Sequence, residues 1–239
     1  FYISMEVTTK TSSIVTKKTI NKKVIAGSTV GTCSFVGAAV ALIGKKQGHK
    51  LFSKFEWSNW NKPKDWLISK IDYSEKEMIG IAGSSVFGGF IGGSFFDKRQ
   101  NIKAKFKEGI FQMIANIVMP ISTVGIAVKT FEKFAASKFA NQKAKNITKA
   151  IITIGALLSG MFIGNKVGNF INDKIFNSQK ERKMSIKDLS AQVDDTCLAA
   201  SMLTQGSGAA KSWGKIFSIF IPFALLMPGL ETGLKTKND

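Results

Sequence analysis

Arginine and histidine are almost missing from this chain. Of its 34 basic residues only Arg99 and Arg182 are arginines, and His49 is the single histidine. The first scarcity argues against nucleic-acid binding, since Arg supplies the bidentate contacts to phosphates and base edges. The lysines are also spread over every connecting segment instead of lining one face. With one histidine, set in the basic stretch Gly48-His49-Lys50, a His-based dyad or metal cluster has nothing to be built from. Cysteine is as sparse: Cys33 lies in an apolar run and Cys197 in a separate segment, without a CxxC pair. The adjacent carboxylates Asp194 and Asp195 sit on a segment of helical spacing, where neighbouring positions point apart. No catalytic residue, metal site or cofactor is therefore expected.

Charge is absent from long stretches even though the net charge is +18. Five apolar runs alternate with basic connections, which is how a mean hydropathy of only +0.07 arises. The clearest run is Met78 to Phe96, MIGIAGSSVFGGFIGGSFF, nineteen residues without a charge. Gly80, Ser84, Gly88 and Gly92 fall on one helical row, and Ser85, Gly89 and Gly93 on the next. In a water-soluble helix each such glycine costs roughly 1 kcal/mol relative to Ala. In a bilayer small residues at GxxxG spacing let helix backbones approach closely, and the run is long enough to cross a hydrocarbon core.

The sequence predicts an all-α, polytopic transmembrane bundle of four to five spans with small-residue packing faces. A basic tail occupies residues 1–23, and spans fall at about 24–43, 78–96, 109–128 and 150–167 within a bundle ending near 170. The first run is 20 residues, too long for the usual signal-peptide core, and is expected to remain as a span. Trp57, Trp60 and Trp66 cluster with lysines in the connection 44–77, a composition suited to a membrane interface, or alternatively to a small soluble core. Residues 185–205 have the spacing of an amphipathic helix within a C-terminal portion, 185–239. The fifth run, 216–230, is short and interrupted by Pro222 and Pro228, so span, re-entrant piece and interfacial helix all remain open. Two echoes hint at an internal duplication: IAGSTV (25–30) with IAGSSV (81–86), and GGFIGG (88–93) with GMFIGN (160–165).

Functional candidates are few. Gly160, Gly164 and Gly168 repeat the four-residue spacing in the fourth run, and close packing within one chain or self-association would both use such rows. Gln112 and Asn116 lie one turn apart in the third run, with Pro120 a turn further, serving either as interhelical hydrogen-bonding groups or as a polar path. No ionisable residue lies in the middle of the first four runs, which argues against a proton relay or ion-coupled carrier. The expected role is a non-enzymatic membrane scaffold or assembly component, with a pore or facilitator for small solutes as the alternative. Expected partners are anionic lipid headgroups and further copies of the chain.

Overall fold

Ser74 starts the second long helix by a reciprocal cap. Its hydroxyl accepts from the Glu77 backbone N–H while the Glu77 carboxylate accepts from the Ser74 N–H, at 3.4 and 2.9 Å. Glu77, which reads in the sequence as a charge closing a loop, is thus half of a capping box whose S-x-x-E spacing was visible. Asn21 and Asn141 cap the first and last long helices by accepting from the N–H two residues on, at 3.0 and 2.8 Å.

The computed structural model describes residues 21–49, 67–177, 182 and 219–237. The Trp-rich part of the first connection, residues 1–20 and the segment 185–205 lie outside the described residues. Among the described residues all regular structure is helical: α1 (Lys22–Lys46), α2 (Glu75–Phe95), α3 (Arg99–Met113), α4 (Met119–Phe134), α5 (Gln142–Phe176) and α6 (Leu226–Leu234), with short 3₁₀ turns. A π turn, Ile114–Val118, joins α3 to α4 without a break, making one rod of 36 residues. Four of these rods are long and apolar enough to cross a membrane, so the chain is an all-helical bundle of membrane-spanning type.

The rods overrun the sequence-derived spans. At 1.5 Å per residue the α3–α4 rod is about 54 Å long and α5, with 35 residues, about 52 Å, against a hydrocarbon core of about 30 Å. The excess is polar: Arg99 to Glu108 precede the apolar part of the third rod, and Lys129 to Lys133 follow it. Lys149, the residue just before the apolar run of the fourth span, pairs with Glu132 at 2.7 Å and ties α5 to the end of α4.

Contacts fix the directions. Gly27 and Gly31 of α1 meet Gly92 and Gly88 of α2, so these helices are antiparallel. Gly229 and Gly233 of α6 meet Gly89 and Gly93 of α2, so α6 runs parallel to α2. The core between them is built from Val36, Val40, Ile71, Met78, Ile81, Ala82, Val86, Ile117, Ile121 and Leu225. In the C-terminal run the helix breaks at Leu225, three residues before Pro228, whose missing N–H and bulky ring forbid a continuous ladder.

Candidate functional site

The glycine rows of α2 face two different neighbours. A Cβ on Gly88 would lie 2.9 Å from Gly31 C, and one on Gly92 would lie 2.8 Å from Gly27 C; both would collide with α1 backbone. A Cβ on Gly89 or Gly93 would instead collide with Gly229 or Gly233 of α6. In this seam Ser85 donates to Leu226 O at 3.3 Å and accepts from Gly229 N–H at 3.2 Å. Ser84 is half-buried, its hydroxyl turned back to Gly80 O at 2.8 Å. Gly80 is exposed, with no atom within 4 Å of a Cβ built there, so it packs against no described residue. On α5, Gly160 lies on Pro120 and Thr123, Gly164 on Ala115, and Gly168 on the Phe111 ring.

A polar stripe descends the third rod beside these seams. Asn101, Lys105, Glu108, Gln112 and Asn116 recur at intervals of three or four residues, so they share one helical face. All are buried; Lys105 is fully enclosed, and Gln112 and Asn116 are 1% and 5% exposed. Asn116 donates to Gln112 Oε1 at 2.7 Å, and Gln112 donates to Glu108 Oε1 at 2.9 Å and to Glu231 Oε2 at 2.5 Å. Arg182 closes the cluster, 3.0 Å from Glu108 and 3.4 Å from Glu231, with its guanidinium over the Phe111 ring at 4.4 Å. Its backbone is held by both amide atoms of Asn169, each at 3.0 Å. Lys235 adds a second cation 3.5 Å from Glu108.

One turn nearer the helix start, the Lys105 ammonium donates to Gly233 O and pairs with Asp97 at 2.9 Å. Asp97 also accepts from Asn101 at 2.9 Å, and Asn101 accepts from the Lys237 N–H at 3.1 Å. Burial alone would raise the Asp97 pKa, but the hydrogen bonds from Lys105, Asn101 and the Lys98 backbone outweigh it and hold the carboxyl below its ordinary value. Among the described residues, three carboxylates (Asp97, Glu108, Glu231) thus face three cations (Lys105, Arg182, Lys235). Such an arrangement pins chain segments together; removing one partner leaves an uncompensated buried charge.

In the sequence Gln112 and Asn116 stand out as polar residues inside an apolar run, whereas their partners do not. Glu108 lies one residue before the apolar run and Glu231 one residue after the fifth, so both read as span-terminating charges. Lys105 sits a turn further out. The visible signal was the spacing 101-105-108-112-116, which continues the amide pair into the charged end of the rod.

The π turn lies where the stripe ends. Met119 N–H bonds to Ile114 O, five residues back, at the point where Pro120 has no N–H to offer. On α5, Asn165 and Asn172 each carry a buried Oδ1 without a hydrogen-bond partner among the described residues. Among the described residues no group of three or more His, Cys, Asp or Glu side chains could hold a metal ion. No protein-family model, curated protein or solved structure gives a significant match to the chain.

Proposed function

We propose that the chain is a non-enzymatic membrane scaffold, an assembly component that holds a fixed helical shape in lipid and offers its outer surface to further copies and to anionic headgroups. The observation that carries this reading is the closure of the polar stripe. Gln112 and Asn116, the residues best suited to line a path, are buried and bonded to one another and to Glu108. The outward face of α5, with Ile151, Phe162 and Phe170 each about 60% exposed, suits lipid or a neighbouring protein. The pore reading keeps one supporting observation: the buried Oδ1 atoms of Asn165 and Asn172 have no hydrogen-bond partner among the described residues.

Reconstitution in liposomes separates the two. The scaffold reading expects proteoliposomes as tight to glycerol and small ions as empty ones, and a discrete oligomer after gentle detergent extraction. A flux present with the native chain and lost in Gln112→Leu/Asn116→Leu would overturn it in favour of the facilitator.

A further inference from the structure

We infer that a groove beside α1 is a binding site for one anionic phospholipid, with an acyl chain in the groove and its phosphate at a basic rim. This rests on the membrane placement and headgroup contact proposed above and names the site. The groove, about 360 Å³, is lined on one side by Cys33, Val36, Gly37, Val40 and Ala41, and on the other by Ile68, Ile71, Pro222, Phe223 and Leu226. Its α1 wall is a helical stripe at spacings of three, one, three and one residues, which keeps the same face open for about 12 Å.

The groove has a physical origin. Near Gly233 the C-terminal helix touches α1 so closely that a Cβ there would lie 2.7 Å from Ser28 Cβ. Toward Pro222 a turn at Leu225 interrupts the helix, and Pro222, Phe223 and Leu226 face the groove. Gly37 marks the opening: it is exposed, and a Cβ built on it has no atom within 4 Å. Among the described residues the groove lining is almost wholly apolar, which suits methylene groups and not a hydrated solute.

Charge at one end selects the headgroup. Lys45 continues the row Cys33, Gly37 and Ala41 by one further turn, and Lys46 adjoins it. Lys70 lies between the lining residues Ile68 and Ile71. Two hydrogen bonds draw these lysines into one neighbourhood: Gln47 donates to Asp72 O at 2.6 Å and accepts from the Asp72 N–H at 3.1 Å. All three lysines are exposed, and none forms a salt bridge among the described residues. A phosphate there would meet several cations at the end of an apolar slot, where each cation near the membrane surface favours an anion by about a factor of five.

Native mass spectrometry of the full chain, released from detergent with equal dioleoyl phosphatidylglycerol and dioleoyl phosphatidylcholine, tests this. One retained phosphatidylglycerol is expected, preferred by roughly tenfold or more. Gly37→Trp, whose Cβ has no atom within 4 Å and whose indole would occupy the slot, should abolish that first lipid. Lys45→Gln/Lys46→Gln/Lys70→Gln should retain one lipid but bind the two classes equally. No retained lipid, no preference in the native chain, or retention unchanged in Gly37→Trp would each overturn the site. The same spectra report chain stoichiometry, so a monomer that keeps its lipid counts against self-association and leaves the site standing.

Discussion

Lys105 shows how much one side chain can decide. It is fully enclosed, yet its ammonium reaches Asp97 on the turn before α3 and the Gly233 carbonyl on α6. Removing a single partner of a buried pair typically costs about 3–5 kcal/mol, because the remaining charge stays desolvated. Lys105→Met is therefore expected to lower the thermal midpoint of the detergent-solubilised chain sharply, and Lys105→Met/Asp97→Asn to recover a large part of the loss. Equal destabilisation in the single and double variants would show that packing, not charge, is the issue. Asp97 also sets a pH dependence. Its folded pKa lies below the unfolded value. The stability it contributes is complete above the ordinary carboxylate pKa of about 3.9 and is lost as pH falls through the lower folded value. Melting curves should show this acid limb in the native chain and its reduction in Asp97→Asn.

At the scale of the element, identical glycines have different consequences according to what their helix faces. Gly160 and Gly155 lie on the same rod, five residues apart. A Cβ at Gly160 would lie 2.7 Å from Pro120 Cα, whereas at Gly155 nothing is within 4 Å. Gly160→Leu is expected to destabilise by about 1–3 kcal/mol or more through overpacking. Gly155→Leu is expected to be neutral or stabilising by up to roughly 1 kcal/mol, through helix propensity. Thermal midpoints in one detergent compare them directly, and a matching loss at both positions would contradict the packing described. Spacing alone put Gly80 with Gly88 and Gly92, because the sequence shows periodicity and not which positions of a row the neighbouring helix touches. The echoes GGFIGG and GMFIGN gain a structural parallel here. Their first and fifth residues, Gly88 and Gly92 in one and Gly160 and Gly164 in the other, face the preceding rod of their own hairpin.

For the whole molecule, the direction of α6 is the least expected result. Five successive crossings in simple alternation would put the C-terminal residues opposite the turn at Asp97 and Lys98. Instead Lys237 bonds to Asn101, and Lys235 pairs with Glu108, at the same end of the bundle as that turn. Single cysteines placed at Lys98 and Lys237, in a Cys33→Ser/Cys197→Ser background, should be labelled by an impermeant maleimide from the same side of sealed vesicles. One at Lys138 should be labelled from the other. Labelling of positions 98 and 237 from opposite sides would refute this arrangement of α6.

The sequence by itself determined the number and approximate centres of the long apolar rods, their freedom from charge at mid-depth and the small-residue rows along them. These follow from composition and from the 3.6-residue period, which any helix must obey. Only the tertiary structure decided which row meets which neighbour, that Gly229 and Gly233 complete the α2 seam, and that Glu108, Gln112, Glu231 and Arg182 form one cluster. Those pairings join residues as far as 144 positions apart in the chain. Local periodicity carries no information at that separation; it is the close approach of the glycine-bearing backbones and the cost of leaving a buried charge unpaired that select them.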